Sequence, residues 1–280
     1  MKNSNQKVWF ITGASKGLGL SLAKKLLTEG EKVVATSRNL EELNNAVGEH
    51  DNFFPLQLNL TDEQNVGEGI DKAVKHFGKI DVVVNNAGYG LTGALEELSD
   101  EEARKNFDIN VFGSLNVIRK ALPYLREQKS GHIFNIASIG GFYGDFPGFG
   151  IYCATKFAVH GFSESLGAEV KDFGIKVTVV SPGYFRTNFL DDSSLNTPKN
   201  PIQDYKKVRE SEALHENDIK GNQAGDPEKA ALAFIKTANL ENPPMHLFLG
   251  EDAYGMAAAK IEAVKRDLES VKDFATATGF

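Results

Sequence analysis

Val8-Trp9-Phe10-Ile11-Thr12-Gly13-Ala14-Ser15-Lys16-Gly17-Leu18-Gly19 is an apolar run of strand length that breaks into three glycines and then into a helical period. The run Val8–Ile11 is continuous rather than alternating, as in a strand covered on both faces. The helix follows from Leu18 to Leu27 and is closed by Gly30. Glycine permits a sharp turn and close backbone approach, while a helix start offers unpaired N–H groups and partial positive charge to an anion. Strand, glycine turn and helix in that order predict a pyrophosphate cradle formed by Gly13, Ser15, Lys16, Gly17, Leu18 and Gly19. A glycine triplet can also be no more than a tight turn, and the spacing here is G-x-x-x-G-x-G rather than G-x-G-x-x-G.

Working outward, similar runs recur at Lys32–Ser37, Phe53–Leu58, Ile80–Val84, His132–Ile136, Lys176–Val180 and His246–Leu249. Helical periods lie between them. The clearest is Thr61 to Phe77, with Thr61 as N-cap, Val66, Ile70, Val74 and Phe77 on one face, and Gly78 as the stop. Ser99 to Glu102 forms a capping box that opens another helix. This alternation predicts an α/β fold: a doubly wound, seven-stranded parallel sheet with helices on both faces, three layers deep, in one domain over residues 1–280. Ligands of such sheets sit outside the carboxyl ends of the strands. Asp191 to Asp226 is polar and poorly periodic. It reads as a mobile substrate flap within 184–226, with an inert surface insertion as the alternative.

The 280 residues, 41% hydrophobic and 25% charged, fall within ordinary globular usage. The 31 Lys and Arg against 38 Asp and Glu give a net charge of −7, which lacks the basic footprint of nucleic-acid binding. Cys153 has no second cysteine to pair with, and no Cys/His cluster has zinc spacing, so no metal is expected. Val8–Ile11 is too short for a secretory core, and no stretch approaches the roughly 18 apolar residues of a spanning helix. The expectation is a cytoplasmic protein with no membrane partner.

The second strand ends in Thr36-Ser37-Arg38-Asn39, with no carboxylate until Glu41. An NAD site usually carries an acid there for the ribose 2′-hydroxyl, whereas the planar fork of Arg38 suits a 2′-phosphate, with Lys16 as a second cation. NADP(H) is therefore expected in preference to NAD(H), unless Arg38 is only a solvated surface charge. Further on, Tyr152 and Lys156 stand one helical turn apart. An ammonium about 4 Å from a phenol contributes about 4 kcal/mol at an effective dielectric near 20, enough to bring the phenol close to working pH. A Y-x-x-x-K pair alone is more often an ordinary amphipathic face.

Four motifs occur in order: T-G-x-x-x-G-x-G at Thr12–Gly19, N-N-A-G at Asn85–Gly88, Ser138 followed by Y-x-x-x-K at Tyr152–Lys156, and P-G-x-x-x-T at Pro182–Thr187. Together they resemble the short-chain dehydrogenase/reductase family. The resemblance implies a Rossmann-type fold, a nicotinamide cofactor and reversible carbonyl/alcohol chemistry. It makes Tyr152 the general acid/base, Ser138 the donor that positions the carbonyl, and Lys156 the group that lowers the Tyr152 pKa and holds the nicotinamide ribose. Asn110 would anchor a proton-relay water. Asn86, Ala87 and Gly88 would line the adenosine side, and Pro182, Gly183 and Thr187 the carboxamide. A homodimer or homotetramer, built through helices near the catalytic segment, is also implied.

One departure is Asn59-Leu60, where many members carry Asp before an apolar residue at the adenine; Asn59 keeps an acceptor oxygen for that role. Phe142, Tyr143, Phe146, Phe149, Tyr184, Phe185 and Phe189 form a prospective aromatic rim. Of these, Phe142, Phe146, Tyr184 and Phe189, with Ser138 and Tyr152, are the expected substrate contacts, although some of the rings would equally serve the core. His132 and His160 read as scaffold, and Cys153 as a small buried hydrophobe. The function expected is an NADP(H)-dependent ketoreductase-type oxidoreductase for an apolar or ring-bearing carbonyl or alcohol. A nucleotide-sensing binding protein, or an epimerase or dehydratase with tightly held nicotinamide, is the alternative.

Overall fold

The computed structural model describes residues 6–280. In chain order the elements are β1 (Val8–Thr12), α1 (Gly17–Thr28), β2 (Lys32–Ser37), α2 (Leu40–Val47), β3 (Phe53–Gln57), α3 (Glu63–Phe77), β4 (Val82–Asn85) and a short β5 (Gly90–Leu91). There follow α4 (Asp100–Phe107), a π turn (Asp108–Phe112), α5 (Gly113–Gln128), β6 (Gly131–Ile136), α6 (Gly150–Val170) and β7 (Ile175–Pro182). The chain ends with a short β8 (Leu195–Asn196), α7 (Lys206–Leu214), α8 (Pro227–Ala238), β9 (His246–Leu249) and α9 (Glu251–Ala275). Seven strands form one parallel sheet in the order β3-β2-β1-β4-β6-β7-β9. This is the doubly wound, Rossmann-type architecture expected.

The continuous burial of β1 explains its composition. Val8 and Phe10 enter a core formed with α3, α5 and α6, while Trp9 and Ile11 enter a second core with α1, α2 and α8. A strand that feeds two cores cannot alternate apolar with polar residues. Pro55 is tolerated because β3 is an edge strand, paired only to β2. The chain runs outward from β1 to β3 and returns on the other side at β4, so the strand order switches between β1 and β4 and opens a crevice at their carboxyl ends.

Three local expectations change. The third helix is capped by Asp62, whose carboxylate accepts from Asn65 N–H, because the Thr61 hydroxyl is engaged by Asn59. The segment read as a mobile flap holds α7 and β8; β8 pairs with β5, and Phe185 bridges Gly225. Its polarity reflects one-sided docking. Finally, α9 matches no expected element. Ala253 and Ala257 seat it against Ile139, and beyond them Ile261, Val264, Leu268 and Val271 repeat at three- and four-residue spacing on exposed turns. That spacing was the available signal. Among the described residues, no helix is long and apolar enough to cross a membrane.

Candidate active site

A cleft of about 760 Å³ opens at the carboxyl ends of β1, β4, β6 and β7. At one end the glycine loop turns with Gly13 at φ +65° and Gly17 at φ +61°, a conformation that favours glycine. Helix α1 opens at Gly17 without a side-chain cap, and Gly17 and Leu18 line the cleft, so first-turn N–H groups are available to an anion. Gly13 and Gly19 also make room for the segment after β4. A Cβ at Gly13 would stand 2.7 Å from Ala87 Cα, and one at Gly19 would stand 2.5 Å from Asn86 Nδ2. Gly19 accordingly lies outside the cleft lining, making room for Asn86 instead of a ligand. Asn86 Nδ2 donates to the Thr12 and Gly13 carbonyls, each at 2.9 Å, and Asn86 N–H and Ala87 N–H donate to Thr12 Oγ1. The motif after β4 therefore clamps the motif after β1.

Arg38 is exposed at the end of β2 on the cleft wall. Lys16 also lines the cleft, and its ammonium donates to Ser193 O at 3.0 Å and Ser193 Oγ at 2.9 Å, tying the glycine loop to the segment after β7. Ser15, Leu60, Ala87 and Gly88 line the cleft as expected. Asn59 also lines it, but its side-chain oxygen already accepts from Thr61 N–H and Oγ1 at 3.2 and 2.9 Å, which occupies the acceptor expected to meet an adenine.

Helix α6 begins at Gly150, so Tyr152 and Lys156 share a face as their spacing requires. Lys156 Nζ stands 5.7 Å from the Tyr152 ring centre and donates to the Ile136 carbonyl at 2.9 Å. Burial holds the Tyr152 phenol above its usual range, and the neighbouring Ser138 hydroxyl offsets part of that rise. Desolvation pushes Lys156 down to about 8. In the polypeptide, burial is the largest influence on the Tyr152 phenol and acts against its ionisation. Asn110, in the π turn, lies outside the cleft lining. Its Oδ1 accepts from Tyr89 N–H at 3.0 Å, and its Nδ2 donates to Tyr89 O and Thr155 Oγ1 at 3.0 and 3.1 Å. Both ends of the amide are engaged, so the side chain positions the turn after β4.

The Pro182–Gly183–Tyr184 turn is held by a residue not anticipated from sequence. Asp252, at the start of α9, accepts from Tyr184 N–H at 2.7 Å, and a Cβ on Gly183 would strike its carboxylate at 2.2 Å. Thr187 continues this wall toward Gly17. Phe146, Phe149, Tyr184, Phe185 and Phe189 line the cleft, whereas Phe142 turns away to pack on Phe248 and His160 beneath α9. Tyr143 likewise joins the α9 cluster. The flap adds a further unanticipated residue, His215, which reaches the cleft beside Phe149 and Tyr184. His160, Glu164 and His246 come together outside this cleft, each with one ligand atom within 4.8 Å of the others, and the two imidazole planes lie 15° from parallel.

The family model described as short chain dehydrogenase matches residues 7–197. The 3-ketodihydrosphingosine reductase of Bacteroides thetaiotaomicron is 35% identical over 246 residues, covering 87% of this chain and 88% of that protein. The crystal structure of a short-chain dehydrogenase from Streptomyces avermitilis superposes with a TM-score of 0.91 at 35% identity, covering 99% of this chain and all of that one. ElxO, solved with NADP bound, superposes with a TM-score of 0.73 at 30% identity, covering 89% of this chain and 99% of that one.

Proposed function

The chain belongs to the short-chain dehydrogenase family, and we propose that it is an NADP(H)-dependent oxidoreductase interconverting a carbonyl and an alcohol on an apolar or ring-bearing small molecule. The observation that carries this reading is the convergence of Ser138, Tyr152 and Lys156 on one cleft, beside a glycine loop whose backbone suits a dinucleotide. The NADP-bound ElxO and the ketone named in the Bacteroides relative support the same assignment.

The residues divide the work as follows. Gly17, Leu18 and the start of α1 would hold the pyrophosphate, Arg38 the 2′-phosphate, and Lys156 the ribose near the reacting carbon. The nicotinamide, when bound, supplies or accepts the hydride. Ser138 and Tyr152 donate hydrogen bonds to the carbonyl oxygen, where negative charge develops during reduction. Tyr152, kept protonated by burial, then delivers its proton to that oxygen as general acid. Lys156, one turn along the helix, stabilises the phenolate left behind. The aromatic walls exclude water and favour an apolar body on the substrate.

The test is oxidation of NADPH and of NADH against a panel of apolar and aromatic ketones and aldehydes, with Tyr152→Phe run in parallel. NADPH-dependent turnover that the variant loses by about 100-fold or more supports the reading. Equal turnover by Tyr152→Phe would overturn it.

A further inference from the structure

The flap places His215 on the cleft wall with both ring nitrogens committed. Nδ1 lies 2.7 Å from the Ser211 carbonyl, and Nε2 lies 3.0 Å from the Tyr184 hydroxyl. A carbonyl only accepts, so Nδ1 carries the hydrogen. In the neutral imidazole Nε2 is then a bare acceptor, and the Tyr184 hydroxyl donates to it. This fixes the direction of the Tyr184 proton: it points at His215, and the phenolic oxygen has only lone pairs left for the cleft. Burial pushes the Tyr184 phenol up to about 12, so it remains a neutral acceptor through the physiological range. The surroundings are apolar. Phe149 lies 4.8 Å from the His215 ring and 6.3 Å from the Tyr152 ring, which places the pair one aromatic width from the general acid. His215 itself begins a π turn, His215–Ile219, that ends α7, a form of helix often found at functional sites.

We infer that the Tyr184–His215 pair is a substrate-recognition element that takes a hydrogen-bond donor, a hydroxyl or an amine, carried near the reacting carbonyl. This rests on the oxidoreductase reading and narrows its substrate class to hydroxy- or amino-ketones with an apolar body, and to the corresponding alcohols. The physical reason is asymmetric. A half-buried acceptor on a cleft wall rich in aromatic rings gains one hydrogen bond from a donor-bearing ligand and is left unpaired by an isostere that lacks the donor.

The probes are 2-hydroxyacetophenone, propiophenone, which puts a methyl where the first has a hydroxyl, and 2-methoxyacetophenone, whose oxygen only accepts. Each is titrated calorimetrically against the NADP+ complex of wild type, Tyr184→Phe and His215→Phe, and each is assayed separately for turnover. Wild type should bind the hydroxy ketone about tenfold more tightly than propiophenone and should discriminate against the methoxy ketone. Tyr184→Phe, which removes the acceptor, should bring the hydroxy to propiophenone ratio near one. His215→Phe frees the Tyr184 proton to turn into the cleft and should recover binding of the methoxy ketone. Equal affinity of wild type for the hydroxy ketone and propiophenone overturns the inference, as does an unchanged ratio in Tyr184→Phe. Donor-selective binding without turnover of any probe would support the recognition element and count against the reaction assigned above, so the two failures are separable.

Discussion

Glu97, whose side chain is wholly shut from solvent, holds one guanidinium nitrogen of Arg209 with both carboxylate oxygens, at 2.9 and 2.8 Å. The same carboxylate accepts from Ala94 N–H and Ile202 N–H, both at 2.6 Å, so a single buried charge ties the flap and α7 to the segment before α4. Removing one partner of a buried pair costs about 3 to 5 kcal/mol, because the remaining charge loses its compensation. Arg209 is partly exposed, which places the effect at or below the lower end of that range. Arg209→Met should therefore loosen the flap while leaving the sheet intact. Limited proteolysis should show faster cleavage within 191–226, with little change in the far-ultraviolet circular dichroism; unchanged cleavage would mean that the ion pair does not hold the flap.

Arg38→Asp should shift the cofactor preference. A charge-assisted hydrogen bond to a phosphate is worth about 1.5 to 3 kcal/mol, and a carboxylate at the same place repels the 2′-phosphate. The ratio of kcat/KM for NADPH to that for NADH should fall by about 10- to 100-fold. An unaltered ratio would remove Arg38 from the cofactor site.

The two left-handed glycines of the cradle should respond differently to alanine. Gly17→Ala meets nothing closer than Thr187 Cβ at 3.8 Å and carries mainly the backbone strain of a positive φ, about 1 to 2 kcal/mol. Gly13→Ala adds a Cβ 2.7 Å from Ala87 Cα and must push β1 and β4 apart. Urea denaturation should rank Gly13→Ala as the less stable of the two; the reverse order would contradict the close approach described for Ala87.

Two buried imidazoles should make the fold less stable in acid. Desolvation pushes His132 down to about 3 and His160 down to about 4. Thr178 Oγ1 donates to the Pro244 carbonyl, so His132 donates to Thr178 from Nε2, which leaves a bare, buried Nδ1. The unfolded chain takes up these protons below about pH 6.5, whereas the native chain refuses them until pH 3 to 4. This contribution to stability is therefore complete above pH 6.5 and falls progressively as the pH drops toward 4, by up to about 2.7 kcal/mol per pH unit for two protons. Urea midpoints measured from pH 7 to 5 should show this slope, and His132→Gln should halve it. A flat profile would mean that the histidines titrate alike in both states.

The sheet was legible because burial on both faces removes polar residues from a strand, and runs such as Val8–Ile11 and Lys176–Val180 admit few other readings. The pairing of Tyr152 with Lys156 was legible for a similar reason, since helical geometry alone brings residues four apart together. His215 was not legible. A single histidine in a polar segment acquires meaning only from Tyr184, which the chain brings to it from 31 residues away. Asp252 was hidden in the same way, because its role depends on the missing Cβ of Gly183. Phe142 was misplaced because sequence position fixes the backbone of a rim side chain but not its direction, and its neighbour Phe248 decided it.

The clamp between the first and fourth strands has a consequence for how the protein comes into being. Asp81 receives the Val8 N–H across 73 residues, and Asn86 secures the glycine loop from about the same distance. The parallel sheet has no hairpins, so its strand pairings wait on the closure of long loops, which slows folding. The cradle is therefore a late product of assembly: a nascent chain that ends before β4 carries all three glycines and still has no site, because the turn they form is completed by a strand not yet made.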